Sequence, residues 1–326
     1  MSVWRNSYAK KKNNSLKIYL EQFRFITFEK ENRFLAEYYQ DHPWDKGSPY
    51  PFGVLSKRGL HSLNFAEITI LYGGNGSGKS TALNMIGCKL QAERKSAFNK
   101  GDRQSDYLQR CTYKEGVWYD DISLRDKTTI ITSDDIFKYM LDTRGKNEFI
   151  SVQSKSARAE IGRIKRAASD PRFYTANERD ALHHLDFETG ENVDTFSRVV
   201  DMKKKSCAQF IKENIGEKTQ TYSNGETGFM SLVENIVPDR LYILDEPENS
   251  LSCKLQQELA RFIESSAKHC GCQFIIATHS PFLLALPTAK IYNLDGEPAA
   301  VSKFWELPNM RSYYELFHQF DSKFRK

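Results

Sequence analysis

No stretch of this 326-residue chain approaches the roughly 18 uncharged apolar residues that a membrane span requires. A membrane partner is therefore not expected. The N-terminal segment MSVWRNSYAKKKNNSLK is charged and has no apolar centre, so no secretory signal is expected there. Cysteine is sparse: six residues, at 88, 111, 207, 253, 270 and 272, are too few for a disulfide framework. Reduced thiols and a cytoplasmic location are the expectation. His269-Cys270-Gly271-Cys272 has no second ligand pair at zinc spacing, and the adjacent His183 and His184, with Asp186, point in different directions; neither group is expected to hold a metal. The chain also lacks internal repeats and heptad arrays, which excludes a long coiled-coil arm. An excess of one charge is missing too: 47 Lys and Arg face 42 Asp and Glu, for a net +5. That balance permits nucleic-acid binding and does not demand it.

Hydrophobic residues make up 40% of the chain, enough for a real core. Short apolar runs at 16–20, 67–71, 128–132, 242–244, 274–277 and 289–294 read as strands. Between them, 81–90 and 135–141 read as helices, and Leu255, Leu259, Phe262 and Ile263 fall on one helical face. Residues 39–62 are rich in proline and glycine and read as loop. Strands alternating with helices predict an α/β fold with a mainly parallel sheet. The expected division is a basic arm at 1–15, a core from 16–90 and 206–326, and an inserted, largely helical lobe at 91–205. The C-terminal run 311–320 reads as a helix whose Tyr314, Leu316, Phe317 and Phe320 would cap the core or a partner.

Four motifs follow one another. Gly73-Gly74-Asn75-Gly76-Ser77-Gly78-Lys79-Ser80, followed by Thr81, lies between a buried strand and a helix. Its glycines let backbone N–H groups turn towards an anion, and the helix N-terminus adds favourable partial charge. Lys79 would reach the β and γ phosphates of a nucleotide, Ser80 would offer its hydroxyl to Mg²⁺, and Thr81 would support the α-phosphate. Ser223-Asn224-Gly225-Glu226 comes next, where Gly225 permits close approach and Ser223 can donate to a phosphate. Leu241-Tyr-Ile-Leu-Asp245-Glu246 is an apolar strand ending in two acids: Asp245 suits Mg²⁺, and Glu246 suits polarisation of a water. His279, 34 residues after Asp245, ends a further strand and can sense a γ-phosphate.

In this order the motifs resemble an ABC-type ATPase domain, with Walker A at 73–80, signature at 223–226, Walker B at 241–246 and switch histidine at 279. The glutamate ending the signature makes the chain similar to the SMC/Rad50/RecF-like branch, and to small stand-alone bacterial ATPases within it. Tyr50-Pro-Phe, Ile131-Thr-Ser-Asp-Asp135, Leu244-Asp-Glu-Pro-Glu-Asn-Ser-Leu251 and Phe274-Ile-Ile-Ala-Thr-His-Ser-Pro281 match their pattern. The resemblance implies a P-loop NTPase fold, ATP and Mg²⁺ as cofactors, and a homodimer sandwiching two ATP molecules. Residues 223–226 would then contact the ATP held by the other chain. Two positions depart from the pattern. Ser252 replaces the usual D-loop aspartate, and no Q-loop glutamine follows the strand at 128–132; Ser133, Asp134 and Asp135 stand there instead as candidates for the Mg²⁺ and water role, with Asp134 favoured.

Within 155–172 six basic residues, Lys155, Arg158, Arg163, Lys165, Arg166 and Arg172, face only Glu160 and Asp170. They could form a nucleic-acid contact or an ordinary solvated face. Residues 180–194 reverse the charge, with five acids and no Lys or Arg. No nuclease constellation is visible. The expected role is an ATP switch in a DNA- or RNA-related process such as repair or phage defence, or else a regulatory ATPase controlling a separate effector; a transporter subunit is the third reading.

Overall fold

The computed structural model describes residues 17–98, 100–117, 122–167, 169–184, 192–215 and 223–325. The basic arm at 1–15 and the acids Asp186, Glu188 and Glu191 lie outside the described residues. The chain divides into two compact units, 1–137 with 224–326, and 138–223.

The first unit carries two sheets. Strands β1 (Leu20–Arg24), β2 (Ser62–Asn64) and β5 (Thr112–Glu115) form a small antiparallel sheet in the order β2-β1-β5. The main sheet is built from β3 (Ile68–Tyr72), β4 (Glu93–Arg94), β6 (Thr128–Thr132), β7 (Leu241–Asp245), β8 (Gln273–Ala277), β9 (Ala289–Asn293) and β10 (Ala300–Ser302). Its order is β10-β9-β3-β8-β7-β6-β4, and only the β9–β10 pair is antiparallel. This is the mainly parallel α/β fold that the sequence predicts. Every residue of β3 and β8 is buried, as expected of central parallel strands covered on both faces. The helix Lys79–Leu90 packs Ala82, Leu83, Met85 and Ile86 into the same core as Ile130, Ile243 and Ile275. Helix Cys253–Cys270 buries Leu259 and Ile263, starts on the Ser252 side chain as N-cap and ends at Gly271 in the left-handed region.

Some boundaries differ from expectation for identifiable reasons. The first strand begins at Leu20, not Leu16, because a buried side chain replaces the ladder there: Tyr19 N–H and Leu20 N–H both donate to Gln273 Oε1 at 2.9 Å. Residues 91–137 belong to the first unit rather than to an inserted lobe, since β4 and β6 join the main sheet and β5 joins the small one. The helix expected over 135–141 runs from Ser133 to Ala167. The C-terminal helix, Pro308–Gln319, buries Met310, whereas Tyr314, Leu316, Phe317 and Phe320 are exposed; these four do not cap the core.

The second unit is helical. Ala157, Ile161, Ile164, Val199, Met202 and Phe210 form its apolar centre. Thr175 and Glu178 make a reciprocal capping box at the start of helix Ala176–His183. Glu178 also takes a two-pronged bond from Arg163, and that guanidinium holds its carboxyl down at about 2. A depressed carboxylate stabilises the fold above its ordinary value of 4.5, and that contribution disappears as pH falls towards about 2. Glu178→Gln is therefore expected to lower the melting temperature at pH 7 and to leave it unchanged near pH 2, in melts followed by circular dichroism.

Candidate functional site

The parallel register sends three strand ends to the same edge of the main sheet. Leu71 of β3 is paired with Ala277 of β8, and Ala277 with Asp245 of β7. The chain leaves β3 at Tyr72 directly into the glycine loop. A side chain at Gly73 would meet Ser77 Oγ at 2.6 Å, and Gly78, at φ 95°, faces Leu55 so closely that a Cβ would lie 2.8 Å from its Cδ2. Both glycines are thus required by the turn itself. Ser77 keeps a buried hydroxyl with no partner inside the loop.

Lys79 opens its helix and is buried, with 5% of the residue exposed. Its Nζ donates to Gly73 O at 2.7 Å and Gly74 O at 3.2 Å, and lies 2.9 Å from His279 Nε2. Burial lowers its ammonium from the ordinary value, against the pull of Glu246 and Asp245. Ser80 Oγ donates to Asp245 Oδ1 at 3.1 Å. Asp245 is raised to about 6, chiefly by burial and secondarily by Glu246, while the Ser80 bond and the Lys79 charge oppose the shift. Glu246 turns out of β7 at φ 48°, with its N–H held by Ala277 O at 2.9 Å. Its Oε2 accepts from Asn249 at 2.9 Å, and its Oε1 stands 3.7 Å from His279 Nε2. Lys79, Ser80, Asp245, Glu246 and His279 therefore form one connected cluster.

The hydroxyl of Ser80 and the carboxylate of Asp245 are the hard oxygen donors that a divalent cation such as Mg²⁺ accepts. The glycine loop with the orphaned Ser77 hydroxyl fits a polyphosphate. At the end of β6, Asp135 is consumed by local bonds: it accepts from Thr132 N–H at 2.8 Å and from Ser96 Oγ. Asp134 stays exposed at the first turn of its helix. Gly225, in the first turn of helix Asn224–Asn235, packs so closely on its own chain that a Cβ would lie 2.9 Å from Ser250 O. Ser223 precedes that helix.

Three residues escape a reading of the sequence. Arg94 on β4 places a positive charge near Asp134, Asp135 and Asp245, from a segment too polar to show periodicity. Asp295, after β9, accepts the Gly74 N–H through both oxygens at 2.8 Å. Glu248, three residues past Asp245, is buried against the His279 loop. Of the basic residues at 155–172, Arg163 is paired with Glu178, Arg172 with Asp170, and Arg166 lies 5.4 Å over the Phe173 ring. Lys155, Arg158 and Lys165 are exposed.

Residues 60–249, more than half of the chain, match the family model described as ABC transporter. Residues 227–285 match a model described as an AAA domain and candidate AbiEii toxin of a type IV TA system. No curated protein matches the chain. Among solved structures, the Smc head domain of Pyrococcus furiosus, with an extended coiled coil and bound to the C-terminal domain of ScpA, is 14% identical, with 78% of this chain and 94% of that one covered and a TM-score of 0.32. An ABC transporter of metal-chelate type in an inward-facing conformation is 15% identical, with 79% and 80% covered and a TM-score of 0.33. No helix among the described residues is long and apolar enough to cross a membrane.

The raised Asp245 has a consequence for stability. Its ordinary value is 3.8, so between there and about 6 the unfolded chain releases the proton first. Stability contributed at this position falls as pH rises through that window. Asp245→Asn is expected to raise the melting temperature of the nucleotide-free protein by a few degrees at pH 7, and to leave it unchanged at pH 3.5.

Proposed function

We infer the function from a fixed premise: the chain belongs to the ABC transporter family, and it is an ATPase. We propose that it works as an ATP-driven switch that closes as a homodimer. The observation that carries this reading is the cluster at the strand ends, where Lys79, the Ser80–Asp245 pair, Glu246 and His279 lie within hydrogen-bonding or near-contact range.

In this reading the glycine loop up to Thr81 cradles the phosphates of ATP, apart from the Gly74 N–H, which Asp295 holds, and Lys79 neutralises the β and γ oxygens. Mg²⁺, when bound, supplies further charge neutralisation at those oxygens, and Ser80 and Asp245 would hold it, with Asp134 as a candidate third oxygen. Glu246 Oε2 is fixed by Asn249, which leaves Oε1 to polarise the attacking water. His279 reports the γ-phosphate. Ser223, Asn224, Gly225 and Glu226 reach the ATP of the second chain. The glutamate at 226 and the absence of a Q-loop glutamine support the SMC-like branch over transporter subunits.

The output we assign is a DNA- or RNA-related process such as phage defence. The likeness of residues 227–285 to a domain described with a toxin system supports a defence role. Lys155, Arg158 and Lys165 supply the nucleic-acid contact: they are exposed and fall within about 80° of arc on helix Ser133–Ala167. Arg163 and Arg172 are committed to Glu178 and Asp170 and drop out of that surface. The second reading, control of a separate effector protein, draws on the exposed aromatic face of the C-terminal helix.

Glu246→Gln is expected to slow ATP turnover by about 100-fold or more and to accumulate an ATP-bound dimer, measured by light scattering with Mg-ATP. A variant that stays monomeric counts against the sandwich. Lys79→Ala is expected to weaken ATP binding. With the dimer trapped, gel-shift binding to duplex DNA should weaken steeply between low and moderate salt, and Lys155→Ala/Arg158→Ala/Lys165→Ala should reduce it. No binding to DNA or RNA at low salt overturns the nucleic-acid output and leaves the effector reading.

A further inference from the structure

Glu248 is 7% exposed and follows Glu246 on the same turn. One of its oxygens, Oε1, collects three donors from the opposite strand end: Thr278 Oγ1 at 2.6 Å, His279 N–H at 2.7 Å and Ser280 N–H at 3.1 Å. The Thr278 hydroxyl in turn accepts from Ser280 N–H at 2.9 Å, which closes the loop on itself. Ser280 Oγ donates to Gln256 Oε1 at 2.8 Å, and Gln256 Nε2 returns to Leu251 O at 3.0 Å. The backbone at His279 is thus braced from the segment that carries Glu246. The other oxygen, Oε2, is buried with no partner. Burying an acceptor without a donor works against stability, so the bonds at Oε1 are made at a cost at Oε2.

From this geometry we propose that Glu248 is a positioning residue for ATP hydrolysis: it fixes the His279 backbone so that the imidazole sits between Lys79 and Glu246. Its carboxylate does not touch the reacting atoms. It ties the loop bearing Glu246 to the loop bearing His279, so the two groups keep one mutual placement while the nucleotide changes. Gly225 packs on Ser250, two residues further along the same turn. The signature helix is thus in contact with the turn that carries Glu248 within one chain. The proposal rests on the reading of His279 as the group at the γ-phosphate.

The test is steady-state ATP hydrolysis by the full chain, with kcat and KM separated and affinity measured independently with a fluorescent ATP analogue. Glu248→Ala is expected to lower kcat by about 100-fold, with KM changed by less than about threefold. Glu248→Gln keeps an accepting oxygen and is expected to restore kcat to within about tenfold of the parent. In a His279→Ala background, Glu248→Ala should cost less than about twofold more, because both changes remove one function. Should the alanine variant not fold, Thr278→Val takes its place: it removes one of the three donors, and its loss of kcat should also vanish in the His279→Ala background. Additive effects, or a parental kcat in Glu248→Ala, overturn the role of Glu248 and leave that of His279 standing. A His279→Ala enzyme with parental kcat overturns both.

Discussion

The parallel ladder β3–β8–β7 is the constraint on which the site depends. Leu71, Ala277 and Asp245 stand in register across three strands. Whatever follows them emerges at one edge: the glycine loop, Thr278 with His279, and Glu246. Because side chains alternate along a strand, a slip of one residue in either ladder would move every side chain to the opposite face of the sheet and displace the groups at the strand ends. Apolar strands buried on both faces tolerate such a slip poorly, so the core that fills the main sheet also sets the positions of five polar groups at its rim.

Those polar groups are held against their own preferences. Burial lowers the ammonium of Lys79 against the pull of Glu246 and Asp245, and raises the carboxyl of Asp245 to about 6 against the Ser80 hydrogen bond and the Lys79 charge. Isolated buried charges would neutralise. Here Ser80, Gly73, Gly74 and His279 share the load through short bonds. The arrangement gives up stability for a pre-set electrostatic field, which is the usual trade at sites that work on phosphates.

The parts of this site that were legible in the sequence are those whose physics is local. A glycine loop between strand and helix, two acids at the end of an apolar run and a histidine after another run all declare themselves within ten residues. Glu248 did not, because its three donors lie about 30 residues away and only the sheet brings them together. The start of β1 was hidden for the same reason, since Gln273 replaces a ladder at Tyr19 and Leu20. The boundary of the helical unit is not legible in sequence because the described residues of 91–127 contribute two short strands and two short helices, too little to show a period. Ser252, read in sequence as a departure from a pattern, has a plain structural use as the cap of helix Cys253–Cys270.

The exposed aromatic face of the C-terminal helix has a colloidal consequence. Tyr314 and Phe317 present ring surface to solvent, joined by Phe320 and Phe324 just after the helix and Trp305 just before it. Surface of this kind adheres to like surface whether or not nucleotide is bound. Such adhesion strengthens in sulfate and phosphate salts, which are excluded from apolar surface, whereas contacts made through charged groups weaken as salt rises. Apolar and charged contacts can therefore be told apart by the sign of their response to salt.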